Sequence, residues 1–123
     1  MLLVDSVEMD GEYAVSEYTI RENAFFTQGH FPGNPIVPGV ILCEIMAQGG
    51  AILSIRPDDP RIALYAGLDK VQFKKVVRPG DKVVTRSKLA MQKGPLIVVD
   101  ATATVDDKVC CKGRLTFILT ENS

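Results

Sequence analysis

The chain has 123 residues, 46% of them hydrophobic, and a formal net charge of −1. This length supports one hydrophobic core and is too short for two ordinary domains, so we expect a single domain over residues 1–123. No apolar run approaches the roughly 20 residues that span a bilayer, and the first residues lack the features of a signal peptide, which predicts a cytoplasmic location without membrane association.

The predicted elements are strands and one helix. Residues 2–9 and 12–20 form a hairpin with Asp10 and Gly11 at its turn. After the helix, further strands are predicted at 61–76, 81–92, 96–105 and 108–120. The last two alternate apolar and polar residues, which is typical of strands buried on one face. The pattern predicts an α+β fold with a predominantly antiparallel sheet.

The helix is predicted from Pro38, which suits a first helical position, to the stop signal Arg56-Pro57. It is apolar on nearly every face, and a helix of this kind is buried. We therefore expect the sheet to wrap around it. Gly49 and Gly50 lower helix propensity, so another element is expected to approach the backbone closely there.

Glu44 and Gln48 interrupt the apolar helix. They are four residues apart, which places them on one face and within reach of each other. An ionised carboxylate is costly to bury without partners, and buried acids concentrate where chemistry requires them. The alternative is a structural Glu44, satisfied by Gln48 and backbone or facing a subunit boundary.

His30, the only histidine, lies in the loop GHFPGNPIVPG, where three prolines and three glycines restrict and shape the backbone. A lone histidine is more often an ordinary residue than a catalyst, but this loop can hold one side chain in place. It leads into a helix N-terminus whose free N–H groups, Gly39's among them, can receive an oxyanion. A base, an acid and these donors suit water elimination from a 3-hydroxyacyl thioester.

A basic band spans residues 70–93, where eight cations face one acid, Asp81, for a net charge of +7. Such a band indicates an anionic partner, although it can also be the solvated face of strands. Phe73 is its only aromatic residue, which argues against single-stranded nucleic acid. The three cysteines lack metal-ligand or redox spacing and are expected to be buried thiols without chemistry.

Two motifs resemble a known family. His-Phe-Pro-Gly-x-Pro-x-x-Pro-Gly-Val at 30–40 and Glu-x-x-Ala-Gln at 44–48 are similar to the signature of the FabZ-type 3-hydroxyacyl-[acyl-carrier-protein] dehydratases of fatty acid synthesis. The similarity continues through residues 2–7, 25–33, 65–75 and 78–81.

The resemblance implies a hot-dog fold, in which an antiparallel sheet wraps around one long central helix. It implies a dimer that assembles into a trimer of dimers, with His30 of one subunit facing Glu44 of its neighbour. His30 would remove the C2 proton, Glu44 would protonate the departing hydroxyl, the Gly39 N–H would hold the thioester oxygen and Gln48 would position Glu44.

The family's substrate is carried on the phosphopantetheine of an acidic acyl carrier protein, with no metal or other cofactor expected. We therefore assign carrier docking to the band residues Lys70, Lys74, Lys75 and Arg78. Family members usually carry a short leader before Leu-Leu-Val-Asp that borders the active-site entrance, whereas this sequence starts at that segment. We therefore expect the preferred acyl length to differ.

Three alternatives stay open. The isomerising FabA-type dehydratases share the fold but carry Asp at the position of Glu44. Hot-dog thioesterases generally lack the His-Phe-Pro-Gly loop. A non-catalytic acyl-binding or scaffold subunit of a synthase would not require His30 and Glu44.

Overall fold

The computed structural model describes residues 2–22, 36–54 and 58–121 of the chain, which form one six-stranded sheet and one α-helix. The strands are β1 (Ser6–Asp10), β2 (Tyr13–Thr19), β3 (Ile62–Phe73), β4 (Lys82–Lys93), β5 (Leu96–Val105) and β6 (Lys108–Thr120). Their order across the sheet is β1-β2-β4-β5-β6-β3, and every neighbouring pair is antiparallel.

The hairpin expected at the start of the chain is confirmed. β1 and β2 pair from Ser6 opposite Glu17 to Asp10 opposite Tyr13. The turn between them contains Gly11, whose φ of 62° lies in the left-handed region that favours glycine.

The predicted alternation in β5 and β6 is confirmed at most positions, although Val98 and Cys110, which fall on the other side, are also buried. In β5, Ile97, Val99, Ala101 and Ala103 are buried, whereas Asp100 is exposed. In β6, Lys112 is exposed, whereas the apolar residues of the inward face are buried: Cys111, Leu115, Phe117 and Leu119. The buried sides of these strands form part of the sheet surface on which the helix packs.

The helix α1 (Gly39–Gly50) is shorter than predicted and is followed by a single 3-10 turn, Ala51–Leu53. Pro38 precedes the first helical residue, with ψ at 147°, and its carbonyl accepts hydrogen bonds from the N–H groups of Ile41 and Leu42 at 3.0 and 3.3 Å. The pair Arg56-Pro57 lies outside the residues that the structure describes. The helix ends before that signal, at its two consecutive glycines, which have low helix propensity.

The close approach expected at the two glycines is confirmed. A Cβ atom on Gly49 would collide with Ser16 Oγ in β2, and one on Gly50 would lie 3.1 Å from Ser87 Oγ in β4. The missing side chains therefore let the end of α1 rest directly on the sheet.

The expectation that α1 is buried on all sides is wrong. Its inner side is buried, but Val40 is 73% exposed, and Ile52, in the 3-10 turn, is 44% exposed. Together with the half-buried Glu44 and Gln48 they form the open stripe, a line of residues at four-residue spacing. One sheet covers only one side of a helix, so the sheet leaves this stripe largely uncovered.

The expected burial of the three thiols is confirmed: Cys43, Cys110 and Cys111 are free and buried. Burial raises the pKa of Cys111 to about 12, and the neighbouring Cys43 and Cys110 add to the effect. A thiol in this state is not reactive near neutral pH.

Within the described ranges, no helix is long and apolar enough to cross a membrane.

Candidate active site

The predicted site residues divide between described and undescribed parts of the chain. Gly39, Glu44 and Gln48 all lie in α1. His30 falls within 23–35, outside the described residues, together with most of the loop that was expected to hold it. The juxtaposition of His30 with Glu44 therefore stays a prediction.

The side chains of Glu44 and Gln48 meet on the open stripe, as their spacing predicts. Gln48 Nε2 donates a hydrogen bond to Glu44 Oε1 over 3.4 Å. Glu44 is half-buried rather than enclosed, so its carboxyl group is accessible from the side of the helix that the sheet does not cover. A carboxyl group that is both held and accessible can exchange a proton with a bound substrate.

Gln48 has a second partner that the sequence did not indicate. Its Oε1 accepts a hydrogen bond from the backbone N–H of Leu3 over 2.6 Å. Leu3 belongs to the segment before β1 and is 1% exposed. The amide of Gln48 thus links the N-terminal segment to the carboxyl group of Glu44.

Gly39 lies at the start of α1 and borders a cleft of about 530 Å³. Phe73, Lys74 and Lys75, at the end of β3 and just after it, form part of the opposite wall. A Cβ atom on Gly39 would lie 2.9 Å from the ring of Phe73, so any larger residue would displace that ring. The N–H of Gly39 is one of the first four of the helix, which have no partner within the helix and can stabilise a negative oxygen.

Tyr65 in β3 is a further residue of this region. Burial raises the pKa of Tyr65, and the electrostatic influence of Cys43 and Glu44 raises it further. Its hydroxyl group therefore stays protonated and is available as a hydrogen-bond donor. Its ring packs against Phe117, with 5.9 Å between the ring centroids.

The structure divides the basic band into separate groups. Three of its cations form ion pairs across the outer strands: Lys82 with Glu17 at 3.0 Å, Lys88 with Glu12 at 3.3 Å and Arg86 with Asp10 at 3.4 Å. This group is the solvated strand face that the sequence left open as an alternative. Lys74 and Lys75 instead line the cleft beside Gly39.

The other two residues assigned to carrier docking lie differently. Lys70 borders a separate depression with Lys112 and Arg114 on β6. Arg78 opens the turn before β4, where its N–H donates to Asp81 Oδ2 at 2.8 Å. The preceding residue, Val77, accepts a hydrogen bond from Val37, which brings this turn close to the start of α1.

Sequence reasoning missed Leu3, Tyr65 and Phe73 as site residues. Tyr65 and Phe73 lie in the stretch YAGLDKVQFKK that resembles the dehydratases, so that stretch was the available signal. Leu3 also lies in a resembling stretch, residues 2–7, but its side chain gave no indication of a role, because its contribution is a backbone N–H. Among the described residues, no three His, Cys, Asp or Glu side chains are grouped so that they could hold a metal ion.

A family model and two curated relatives match nearly the whole chain. The model, of the FabA-like domain, matches residues 1–114. The 3-hydroxyacyl-[acyl-carrier-protein] dehydratase FabZ of Lactococcus lactis subsp. cremoris (strain MG1363) is 45% identical over 123 residues, which cover 96% of this chain and 84% of the relative. The enzyme of the same name from Caldicellulosiruptor saccharolyticus is 43% identical over 122 residues, covering 96% and 87%.

Solved structures share the architecture at low sequence identity. The uncharacterised protein PH1136 from Pyrococcus horikoshii has a TM-score of 0.77 at 19% identity, covering 98% of this chain and 86% of that one. A hypothetical thioesterase from Streptococcus pneumoniae, solved with coenzyme A, has a TM-score of 0.74 at 14% identity, covering 94% and 88%. At these identities the likeness concerns the fold alone, and it confirms the predicted hot-dog fold.

The relatives have the same enzyme name and match almost the entire chain, and the fold is the one that the motifs implied. The chain therefore belongs to the family of the FabZ-type 3-hydroxyacyl-[acyl-carrier-protein] dehydratases, which are hydro-lyases.

Proposed function

We propose that the protein removes water from (3R)-hydroxyacyl-[acyl-carrier-protein] to give trans-2-enoyl-[acyl-carrier-protein], in the synthesis of fatty acids or related acyl chains. The observation that carries this proposal is the 45% identity to a FabZ dehydratase across 96% of the chain. The held carboxyl group of Glu44 and the cleft beside Gly39 supply groups that this reaction needs.

In the proposed mechanism the imidazole of His30 takes the proton from C2 of the acyl chain. The electron pair moves onto the thioester oxygen, where the N–H of Gly39 stabilises the negative charge. Its return forms the C2–C3 double bond as the C3–O bond breaks, and Glu44 gives its proton to the departing hydroxyl group, which leaves as water. His30 then holds the proton that Glu44 must regain, and transfer between them restores the starting state.

Two features support a dimer as the working unit. The open stripe carries Glu44 between two exposed apolar residues, Val40 and Ile52. β3 is an edge strand of the sheet, and its apolar residues Leu64 and Leu68 are 50% and 40% exposed. Exposed apolar surface beside an unpaired strand edge favours association. We propose that a second copy covers these surfaces and that His30 of one subunit faces Glu44 of the other.

A trimer of such dimers stays a prediction. So does the cytoplasmic location that the sequence led us to expect. We also propose that no metal or other cofactor takes part, since the acyl group arrives on the phosphopantetheine of the carrier. Exhaustive chelation should therefore leave the turnover rate unchanged, and its loss would contradict this point.

The cleft beside Gly39 is the place where we propose that the acidic carrier docks. Lys74 and Lys75 line the cleft, whereas Lys82, Arg86 and Lys88 are already paired with acids. A phosphopantetheine arm entering this cleft past Lys74 and Lys75 would bring the thioester to the N-terminus of α1. We propose that Lys74 and Lys75 contribute most of the docking charge, with Arg78 nearby and Lys70 at a distance.

Docking is tested with the double variant Lys74→Glu, Lys75→Glu. We expect KM for the acyl carrier substrate to rise on the order of tenfold, with little change in kcat, because charge complementarity acts on encounter. The matched control is Lys88→Glu with Lys93→Glu, which makes the same charge change toward the far end of β4. Unchanged carrier affinity in the first pair, or an equal loss in both pairs, would contradict the assignment.

The reaction itself is tested by following the conjugated enoyl thioester formed from a short (3R)-hydroxyacyl carrier protein. We expect turnover by the wild type, and a loss of about 10²-fold or more in His30→Ala and in Glu44→Gln, because each removes a proton-transfer group. Absence of turnover by the wild type would favour the scaffold alternative. Release of a free thiol from an acyl thioester would favour a thioesterase.

A further inference from the structure

The segment before β1 reaches the catalytic face of α1 through a chain of two hydrogen bonds. The Leu3 N–H donates to Gln48 Oε1 at 2.6 Å, and Gln48 Nε2 donates to Glu44 Oε1 at 3.4 Å. Leu3 is almost completely buried, which shields its N–H from water, and the acceptor Gln48 is half-buried. A backbone group 45 residues away in sequence from Gln48 is thus connected to the carboxyl group.

The Leu3 N–H determines which way the amide of Gln48 faces. A backbone N–H can only donate, so it requires the amide oxygen opposite it. The amide nitrogen is then directed toward Glu44, where it can donate to the carboxyl oxygen. Without the N–H, the amide could turn over and place its oxygen against that carboxyl oxygen, where two acceptors repel each other.

The donor itself is held in place by β2. Two residues along the chain from Leu3, the N–H of Asp5 donates to the carbonyl of Glu17 at 2.7 Å. The carboxylate of Asp5 accepts a hydrogen bond from the N–H of Thr19 at 2.8 Å and forms an ion pair with Arg21 at 2.7 Å. These contacts attach the N-terminal segment to the sheet, so the Leu3 N–H is fixed before substrate binds.

We propose that the backbone N–H of Leu3 is a positioning group of the dehydratase, acting on Glu44 through the amide of Gln48. The inference rests on the proposed function, because it assigns the acid of that reaction its orientation. Glu44 becomes negative as it gives its proton to the leaving hydroxyl group. The Gln48 Nε2 hydrogen bond strengthens as that charge develops, so its loss acts on kcat more than on KM.

The test removes the N–H with Leu3→Pro and compares it with Leu2→Pro, which places the same residue at an exposed position and keeps the Leu3 N–H. We expect Leu3→Pro to lower kcat on the order of tenfold, with KM changed by less than about twofold. Leu2→Pro should retain the wild-type kcat. If Leu3→Pro does not fold, an amide-to-ester replacement at Leu3 removes the same donor and keeps the side chain.

A double-mutant cycle separates positioning from a general loss of stability. In Gln48→Leu, which already lacks the amide, Leu3→Pro should cause no further loss of kcat, because the N–H acts only through that amide. An equal loss in both backgrounds, or a wild-type kcat in Leu3→Pro, would overturn the proposal. A loss of kcat from Leu3→Pro in the wild-type background alone would support it.

A spectroscopic measurement keeps this inference separate from the proposed function. The side-chain amide protons of Gln48, assigned by their absence in Gln48→Leu, should exchange slowly with water in the wild type and faster in Leu3→Pro. If the wild type does not dehydrate its substrate, the proposed function fails, while these exchange rates still report the hydrogen-bond chain. Equal exchange in both proteins would show that Leu3 does not hold the amide.

Discussion

Thr85 and Ser87 place two hydroxyl groups in the interior, on the face of β4 that receives the end of α1. Both residues are 0% exposed, and neither hydroxyl has a hydrogen-bond partner within the described residues. Leaving a buried hydroxyl unsatisfied costs about 1–3 kcal/mol. Thr85→Val removes that hydroxyl with little change in shape, and we expect it to raise the free energy of unfolding in urea by about 1 kcal/mol.

The control for this substitution is Thr104→Val. Thr104 Oγ1 donates to the carbonyl of Val84 at 3.4 Å in a half-buried position, so the same change there removes a hydrogen bond. It should leave stability unchanged or lower it. A stability loss in Thr85→Val as large as in Thr104→Val would mean that the Thr85 hydroxyl is satisfied in solution.

The residues of the candidate site differ in how far the sequence could predict them. The contact of Glu44 with Gln48 follows from helical geometry alone, because residues four apart share a face. The contact of Leu3 with Gln48 depends on how the first hairpin packs against α1, and no local pattern carries that information. The same holds for Phe73, which reaches Gly39 only because β3 ends beside the start of the helix.

The elements were predicted well in type and less well in extent and burial. Alternation identified β5 and β6, since a two-residue period has a direct structural meaning. For α1, apolar residues on every face predicted complete burial, but composition does not reveal how much cover one sheet provides. The open stripe is the part of the helix that the sheet leaves uncovered, and its two exposed apolar residues are surface that a second copy would cover.

The packing of α1 on the sheet gives a prediction at Gly49. Alanine has the higher helix propensity by about 1 kcal/mol, so Gly49→Ala would stabilise an isolated helix. Here the new Cβ would collide with Ser16 Oγ and lie 3.1 Å from Ser16 Cβ. Ser16, in β2, is only 3% exposed, so it has little room to move. We expect a net loss of about 1–3 kcal/mol in the free energy of unfolding, measured with urea.

Two further variants test the cause of that loss. Ser16→Gly in the Gly49→Ala background removes both colliding atoms and should recover part of the stability relative to Gly49→Ala. Gly50→Ala should cost less, because its Cβ would lie 3.1 Å from Ser87 Oγ and 3.4 Å from Ser87 Cβ. If Gly49→Ala were more stable than the wild type, the helix would not rest on β2 as described.

Two ion pairs connect different parts of the sheet and respond to acid. The hydrogen bond from Arg114 holds the pKa of Asp100 below its usual range. The N–H of Thr19, followed by Arg21, lowers the pKa of Asp5. A carboxyl group with a lowered pKa contributes stability above the ordinary aspartate pKa of about 3.9 and loses it as the pH falls through its folded value.

We therefore expect the free energy of unfolding to fall as the pH is lowered below about 4, and Asp100→Asn to reduce the steepness of that fall. The loss at pH 7 should be small, because both members of the pair are partly exposed and screened by solvent. Urea unfolding at several pH values measures both effects. An acid response of Asp100→Asn identical to that of the wild type would remove this pair from the explanation.

The proposed dimer divides each active site between two chains, so two inactive variants should complement each other. His30→Ala and Glu44→Gln should each be nearly inactive alone. In a randomly mixed sample, half of the dimers would contain one chain of each kind and one complete site, restoring about a quarter of the wild-type sites. Native mass spectrometry would measure the mixed dimers alongside the enoyl product. Verified mixed dimers without activity would place both groups on the same chain.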